Sequence, residues 1–249
     1  MIGDDLLELV RDVVPADGSP QVLADRWIET AFAKLPQGSR VLDLGCGTGD
    51  SVDQFRAVDP VVRWVGVDLE ESPEVARRVR ADADFRAFDG ERLPFDDAAF
   101  DFVYCKQVLE HVRRPSVLLA DVARVLRPGG FLAGSTSQLE AFHSLSTSNY
   151  TPYGLRLLLE DAALSLEQLR PGIDSLTLIV HRGLGMPAVT RRYWGRESPL
   201  NRAISLFGRL RGLDHRRVNL VKLLFCGQFA FLARAGDAPL VAGAAGPVG

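Results

Sequence analysis

The sequence has few of the residues that mark secreted, metal-binding or membrane-spanning proteins. Its three cysteines, Cys46, Cys105 and Cys226, are scattered and form no C-x-x-C pair, so neither a disulfide framework nor a zinc knuckle is expected. The four histidines lack metal-ligand spacing, so no metal site is expected. No run of about 18 apolar residues occurs. The acidic N-terminus also lacks the positive charge of a signal peptide, and together these absences predict a cytoplasmic protein.

The composition is that of a globular protein, but its charge is unevenly placed. The chain has 249 residues, of which 47% are hydrophobic and 24% charged, which suits one large α/β core and argues against dominant disorder. The net charge is −3, yet residues 181–224 contain ten Lys and Arg against two acids, and the remaining residues carry a balance of −11. This uneven distribution, a basic segment on an acidic body, is more informative than the net charge.

Strand-like and helix-like segments alternate along most of the chain, which predicts a doubly wound, parallel α/β sheet. Strands are predicted at 40–44, 63–68, 84–88, 100–105 and 130–135, with late strands around 175–180 and 225–233. Helices are predicted at 51–58, 73–80, 116–126 and 152–163. The predicted organisation has N-terminal helices over 1–37, one domain over 38–236 with a basic helical insertion about 181–224, and a disordered tail over 237–249.

The strongest motif is a buried strand that runs into a glycine loop, Val41-Leu42-Asp43-Leu44-Gly45-Cys46-Gly47-Thr48-Gly49-Asp50. A dinucleotide-binding loop needs a third glycine where this chain has Asp50. Carboxylates at Asp43 and Asp50 repel a pyrophosphate but suit a ligand with ammonium and sulfonium charges. The loop therefore fits S-adenosylmethionine better than NAD.

Further motifs follow in a fixed order. Asp68 ends the second strand, where an acid can accept both hydroxyls of a ribose, and Asp89 follows the third strand in Phe88-Asp89-Gly90-Glu91-Arg92-Leu93-Pro94-Phe95. The segments 100–112 and 126–132 come next. Over about 38–136 the chain resembles the class I S-adenosylmethionine-dependent methyltransferases of the type 11 group. The resemblance implies a Rossmann-like, mostly parallel seven-stranded sheet with a helical insertion before the last strand.

The resemblance also implies how the cofactor, S-adenosylmethionine, is bound. Glycines of the loop approach the methionine part, Asp43 orients its amino group, Asp68 holds the ribose, and Asp89 with Gly90 brackets the adenine. The exit of the fourth strand lines the methionine end. The cofactor-binding residues expected in this way are Asp43, Gly45, Cys46, Gly47, Asp68, Leu69, Asp89, Gly90, Cys105, Lys106 and Gln107.

Two histidines are candidates for a catalytic base. Methyl transfer from a sulfonium needs the nucleophile to be positioned and, for a hydroxyl, its proton to be removed. His111 follows the fourth strand on the side that faces the substrate in relatives, and histidine titrates near neutral pH. His143 follows the fifth strand. The alternatives are that His111 caps or packs its helix and that His143 lies on a surface loop.

The basic segment has an amphipathic pattern. Leu200, Ala203, Ile204, Phe207 and Leu210 share one predicted helix face, and Arg202, Arg209 and Arg211 lie off it. Such a segment is able to lie on an anionic membrane, to bind the phosphate of a phosphate- or lipid-linked acceptor, or only to cover the pocket. Nucleic acid is the partner that the pattern favours least.

The sequence thus predicts a methyltransferase that acts on a small-molecule or sugar/glycan hydroxyl. The alternatives are an N-methyltransferase on an amine, an RNA methyltransferase, and a non-catalytic cofactor-binding regulator. The family resemblance does not choose between them. Peripheral contact with the inner membrane surface remains open alongside the cytoplasmic location.

Overall fold

The computed structural model describes residues 4–140 and 145–236, which form a seven-stranded sheet with helices on both faces. The strands are β1 (Arg40–Leu44), β2 (Arg63–Leu69), β3 (Asp84–Phe88), β4 (Phe100–Lys106), β5 (Leu126–Ser137), β6 (Leu164–Pro171) and β7 (Gln228–Ala235). The helices are α1 (Asp4–Val10), α2 (Arg26–Thr30), α3 (Ser51–Val58), α4 (Pro115–Val125), α5 (Pro152–Asp161), α6 (Ser175–Gly183), α7 (Ala188–Arg191), α8 (Pro199–Leu210) and α9 (His215–Phe225). His143 and the predicted tail over 237–249 lie outside the described residues.

The strand order is β3-β2-β1-β4-β5-β7-β6. Strands β1 to β5 pair in parallel, and β7 runs antiparallel to both β5 and β6. The prediction of a doubly wound, mostly parallel seven-stranded sheet is therefore confirmed. The order reverses between β1 and β4, and ligands of such sheets bind at the carboxyl ends of the strands beside this switch point. The loops that follow β1 and β4 lie there.

Side chains that alternate along the strands build one core on each face of the sheet. On one face Leu42 and Leu44 of β1 pack in a cluster with Leu118 of α4. On the other, Val41 lies in a cluster with Phe55 of α3 and the buried Trp27 of α2. The Trp27 indole donates to the Gly134 carbonyl oxygen over 3.2 Å, which fixes the N-terminal segment against β5.

The late strand predicted at 175–180 is wrong, because these residues form α6. Asp174 caps this helix: its carboxylate accepts from the Thr177 backbone N–H over 2.7 Å and from the Thr177 hydroxyl over 2.8 Å. Thr177, Leu178 and His181 then form the buried helix face. The strand of this region is β6, which ends just before α6. A β-bulge between Leu166 and Gln168 interrupts its two-residue alternation, which hid it from the pattern.

The helix predicted at 73–80 is also wrong. Only a single 3₁₀ turn forms there, at Val75–Arg77. Val79 is 96% exposed, so the segment has no apolar face to pack on the sheet. In the N-terminal segment, α2 is followed directly by a 3₁₀ turn at Phe32–Lys34.

The four helices α6 to α9 lie between β6 and β7, where the insertion was expected. Helix α6 contacts α7 and α8, and α8 contacts α9, so they form one packed unit. Across the two described ranges, no helix is both long enough and apolar enough to cross a bilayer.

Candidate functional site

The glycine loop after β1 adopts a backbone that other residues rarely reach. Gly45 has φ +70° and Gly47 φ +50°. The backbone N–H groups of Gly45 and Cys46 both donate to the Val67 carbonyl oxygen of β2, over 2.8 and 3.1 Å. A Cβ on Gly45 would come within 2.4 Å of the Val108 side chain. The loop thus packs closely against β2 and against the segment after β4, and Gly45 leaves room for this approach because it has no side chain.

Asp43 lies beneath this loop and is 4% exposed. Burial raises the pKa of the Asp43 carboxyl to about 7, although the Ser51 hydroxyl and the Lys106 ammonium favour the ionised form. The Ser51 hydroxyl at the start of α3 donates to this carboxylate and itself accepts from the Trp64 indole over 3.0 Å. A positive ligand group placed beside Asp43 would offset the burial cost of its charge.

Asp68 at the end of β2 is partly buried and turned toward the loop. Its carboxylate accepts from the Gly47 backbone N–H over 2.7 Å and from the Leu69 backbone N–H over 2.8 Å. The Leu69 side chain is 45% exposed beside it. The Asp68 carboxylate therefore connects the end of β2 to the loop after β1.

Asp89 follows β3 on the same edge of the sheet and is exposed. Its carboxylate accepts from the Glu91 and Arg92 backbone N–H groups, both over 2.8 Å, and these bonds lower the pKa of Asp89. Gly90, with φ +89°, makes the sharp turn between them. The turn keeps the Asp89 carboxylate ionised at the edge, where it can accept a hydrogen bond.

Two further residues at this edge were missed by the sequence analysis. The Arg78 guanidinium donates to the Gly47 carbonyl oxygen over 2.8 and 2.6 Å and lies 4.0 Å above the Phe85 ring. Asp25, just before α2, accepts from the Lys106 ammonium over 2.7 Å and from the Tyr104 hydroxyl over 2.6 Å. Neither residue lies in a motif, and only the folded chain brings Arg78 to the glycine loop and Asp25 to β4.

The two cysteines predicted near the cofactor are buried. Cys105 is fully buried in the core, and burial raises its pKa above the ordinary range. Burial, together with the nearby Asp43 carboxylate, raises the pKa of the Cys46 thiol to about 12. Both thiols therefore stay protonated at neutral pH, which disfavours a nucleophilic role.

Lys106, Gln107 and His111 follow one another along the chain at the exit of β4. Gln107 has φ +56°, which is a strained backbone for a residue other than glycine, and its N–H donates to the Ser135 carbonyl oxygen over 2.9 Å. His111 ends a 3₁₀ turn at Leu109–His111 and is partly buried. The neighbouring Glu110 is fully buried. His111 thus stands one turn beyond the residues at the switch point.

The segment that precedes α5 closes over this exit. The Thr147 backbone N–H donates to the Glu110 carbonyl oxygen over 2.7 Å, and the Tyr150 hydroxyl donates to the Leu109 carbonyl oxygen over 2.9 Å. Tyr150 and Tyr153 are partly buried against the core. Among the described residues no group of three or more His, Cys, Asp or Glu side chains is arranged to hold a metal ion.

The comparisons with known proteins agree with this geometry. The family described as "Methyltransferase domain" matches residues 42–134. The chain is 34% identical to the demethylmenaquinone methyltransferase of Renibacterium salmoninarum, over 62% of this chain and 68% of the relative. It is 34% identical to the ubiquinone biosynthesis O-methyltransferase of Thiobacillus denitrificans, over 53% of this chain and 58% of that relative, so the match spans little more than half of the second enzyme.

A solved structure shares the fold. The S-adenosylmethionine dependent methyltransferase from Mesorhizobium loti superposes with a TM-score of 0.52 at 17% identity, over 88% of this chain and 100% of that chain. Its sheet and helices support the fold assignment, and the curated relatives support the enzyme class. The chain belongs to the class I S-adenosylmethionine-dependent methyltransferases, in the type 11 family.

Proposed function

We propose that this methyltransferase transfers the methyl group of S-adenosylmethionine to a hydroxyl of a small-molecule or sugar acceptor. The observation that carries the proposal is the position of His111, one turn beyond Lys106 and Gln107 at the switch point of the sheet. A hydroxyl acceptor loses a proton during transfer, and a histidine beside the methyl donor can accept it. The relative named as an O-methyltransferase of ubiquinone biosynthesis supports a hydroxyl over an amine.

The cofactor-binding roles are proposed on the same edge. In this proposal Asp43 faces the methionine ammonium, Asp68 accepts from the ribose hydroxyls and Asp89 with Gly90 borders the adenine. The glycine loop and the segment from Cys105 to Gln107 enclose the methionine end. All of these residues lie at or just beyond the carboxyl ends of β1 to β4.

The acceptor class is tested by product formation. Purified enzyme is incubated with S-adenosylmethionine labelled on its methyl group and with matched phenol, sugar and amine acceptors. We expect label to appear in a phenol or sugar ether. Label found only in the amines would replace the proposal with N-methylation, and cofactor binding without transfer to any acceptor would favour a regulator.

A second proposal concerns the surface of the insertion. Helix α8 buries Asn201, Ile204 and Gly208, so the opposite face is turned to solvent. That outward face carries the exposed side chains of Leu206, Phe207 and Leu210, which are 53%, 54% and 78% exposed. Of the apolar face predicted from the sequence, Ile204 is buried, whereas Phe207 and Leu210 are exposed.

Helix α6 has a similar outward face. Leu176, Ile179 and Val180 are exposed there at the spacing of one helix side. Nine of the 19 large exposed hydrophobic side chains of the described chain lie within 176–210. A concentration of this kind is typical of a surface that binds a partner rather than of scattered solvent exposure.

Charge favours an anionic membrane as that partner. The two acids of the basic segment are already engaged, because Glu197 pairs with Lys222 and Asp214 caps α9. Within the described residues, Arg202, Arg209 and Arg211 form no ion pair with a carboxylate. We propose that α6 and α8 rest on anionic lipid and bring the enzyme to an acceptor held there.

A further inference from the structure

A cleft of about 580 Å³ opens on the face of the sheet that α2 covers. One of its walls is α2 with the 3₁₀ turn at Phe32–Lys34, and the other is formed by β5, β7 and β6. Small-molecule sites in proteins occupy roughly 300–1,000 Å³, so the cleft has the size of such a site.

The cleft is separate from the proposed cofactor site. Among the described residues that line it, none is a candidate for cofactor binding. Phe131, which does line it, pairs with Phe102 in the register of β4 and β5, whereas Ser135 pairs with Lys106 at the exit of β4. Each strand residue advances the chain by about 3.3 Å, so Phe131 lies roughly 13 Å from that exit.

The floor of the cleft is apolar and firmly held. Trp27 is 1% exposed, and Leu232 of β7 is 5% exposed. The Trp27 indole is bonded to the Gly134 carbonyl oxygen. Phe131 is half-buried, with the Arg234 guanidinium 4.3 Å from its ring centroid. These rings, on a face of the sheet, suit a planar aromatic body.

The rim of the cleft is positively charged. Its ionisable side chains are one acid and four bases, namely Glu167, Arg26, Lys34, Arg170 and Arg234. Arg234 pairs with Glu167, and Arg170 pairs with Asp17. Within residues 4–140 and 145–236, the side chains of Arg26 and Lys34 form no ion pair and no hydrogen bond. Two positive charges at the cleft are thus uncompensated.

Both of these cations belong to the same wall. Arg26, Thr30 and Lys34 follow one another at intervals of four residues, and all three line the cleft. On the other wall, the Gln168 side-chain oxygen accepts from the Arg170 guanidinium over 3.1 Å. In the described part of the chain the Gln168 amide nitrogen has no acceptor, so it is a further donor at the cleft.

This positive charge contrasts with the rest of the body. Outside residues 181–224 the chain carries a balance of −11. Two uncompensated cations at one cleft of an acidic body concentrate the attraction for an anion there. An extended polyanion such as a nucleic acid needs a longer row of cations along its backbone, so the charge favours a small anion.

We propose that the cleft binds an aromatic anion, a small molecule whose phosphate or carboxylate is attracted by Arg26 and Lys34 and whose ring packs on the floor around Trp27. The charge supplies selection for the anion, and the apolar floor supplies the area that is removed from water. This second ligand site does not depend on the roles proposed for the cofactor-binding residues or for His111.

The three tryptophans make binding at the cleft distinguishable from binding elsewhere. Trp27 lines the cleft, Trp64 donates to Ser51 near the glycine loop, and Trp194 packs on His181 in the insertion. The indole N–H signals of ¹⁵N-labelled protein are recorded during titration with 2-naphthyl phosphate, with S-adenosylhomocysteine in excess. We expect the Trp27 signal to shift. A Trp27 signal that does not move would overturn the proposal, whatever the other two signals do.

The addition of S-adenosylhomocysteine keeps the two proposals apart. Its own binding is expected to shift the Trp64 signal before 2-naphthyl phosphate is added. A protein that shows no such change but a Trp27 shift with 2-naphthyl phosphate would contradict the cofactor roles and support the cleft.

Matched compounds test each part of the ligand. At pH 7 uncharged 2-naphthol lacks the anion, and inorganic phosphate lacks the ring. We expect the dissociation constant of each, measured from the Trp27 signal, to be at least about tenfold higher than that of 2-naphthyl phosphate. Equal affinity for 2-naphthol would remove the charge from the proposal, and equal affinity for phosphate would remove the apolar floor. Octyl phosphate that binds as tightly would contradict the aromatic body.

A double variant tests the two cations. Replacement of Arg26 and Lys34 by Gln should raise the dissociation constant for 2-naphthyl phosphate about tenfold. The matched control replaces Arg11 and Arg191 by Gln, which removes the same charge from two exposed positions outside the cleft, and should bind like wild type. Equal affinities of the two double variants would overturn the role of Arg26 and Lys34. Raised salt should weaken wild-type binding, and this measurement needs no variant.

Discussion

The backbone N–H of Gly47 donates to the Asp68 carboxylate over 2.7 Å, and this bond ties the loop after β1 to the end of β2. The second oxygen of the same carboxylate accepts from the Leu69 N–H over 2.8 Å. A carboxylate offers about four acceptor positions, so Asp68 keeps capacity for both hydroxyls of a ribose while it holds the loop. One side chain thus serves the loop conformation and, in our proposal, the cofactor.

Replacement of Asp68 by Ala is expected to weaken binding of S-adenosylhomocysteine about tenfold to a hundredfold. Hydrogen bonds to a charged group contribute about 1.5–3 kcal/mol, and the variant loses those to the ribose. Calorimetric titration measures the change. Asp84→Ala is the matched control, because Asp84 begins β3 and therefore lies at the amino edge of the sheet, away from the loop. Among the described residues its ion-pair partner is the exposed Arg86. An unchanged dissociation constant in a folded Asp68→Ala protein would make Asp68 a structural strand-end residue.

The buried carboxyl of Asp43 is expected to make cofactor binding depend on pH. Its pKa of about 7 in the free protein means that it is largely protonated below pH 7. A ligand ammonium beside it favours ionisation, so binding should release a proton, and affinity should fall by up to tenfold for each pH unit below 7. Titrations in two buffers of different ionisation enthalpy count the released proton.

The variant Asp43→Asn serves as the control for this prediction. It keeps the acceptor oxygen for the Ser51 hydroxyl but has no proton to release. At pH 8 the affinity of Asp43→Asn for the cofactor should be lower than that of wild type, and it should be nearly independent of pH between 6 and 8. The raised pKa also means that wild-type stability falls as pH rises from about 4 to 7, and Asp43→Asn should lack that part of the slope. A wild-type affinity that does not vary below pH 7 would contradict the assignment of Asp43.

The glycine loop was predictable from the sequence because its chemistry is local. Consecutive residues supply the strand, the positive φ angles and the buried acid, so their order alone predicts the geometry. Arg78 and Asp25 were not predictable in this way. Each lies in a segment without a motif, and the contacts of Arg78 with Gly47 and of Asp25 with Lys106 depend on where the folded chain places those segments.

The late elements were misread for a related reason. The apolar run at 175–180 has the composition of a strand, and only the cap by Asp174 and the burial of one helix side decide for α6. The bulge in β6 removed the alternation that would have shown a strand. Tertiary context decided both cases, whereas β1 to β5 agreed with their local patterns.

His111 is expected to matter for turnover and not for cofactor binding. If it accepts the proton of a hydroxyl acceptor, His111→Ala should lower kcat by about 10²–10⁴-fold. Its affinity for S-adenosylhomocysteine should stay near that of wild type. The loss should be smaller with a neutral amine acceptor, which attacks before it gives up a proton.

His215→Ala is the matched control, because His215 begins α9 and is exposed next to Gly18, away from the carboxyl edge. Its kcat should equal that of wild type. A His111→Ala enzyme with full turnover would remove His111 from the reaction. His143, which lies outside the described residues, would then be the remaining candidate of the two.

The arginines of the insertion are expected to provide the electrostatic part of membrane binding. Each basic residue near an anionic surface contributes about 1 kcal/mol, so removal of three should weaken binding to phosphatidylglycerol vesicles about a hundredfold. Raised salt should weaken wild type in the same direction. Vesicle co-sedimentation measures both effects. The triple variant replaces Arg202, Arg209 and Arg211 by Gln.

The outward apolar face of α8 is expected to provide the remaining part of membrane binding. A variant with Ser at Leu206, Phe207 and Leu210 should lose binding to phosphatidylglycerol vesicles while its affinity for S-adenosylhomocysteine is unchanged, because these side chains bury little area within the protein. The matched control places Ser at three exposed apolar positions elsewhere, Val61, Val117 and Leu157, and should bind vesicles like wild type. Equal binding by both triple variants would exclude α8 from the membrane contact. If the α8 variant instead raised the KM for the acceptor and still bound vesicles, this face would cover the acceptor pocket. If wild type were a dimer and the α8 variant a monomer, the partner of this face would be a second copy of the chain.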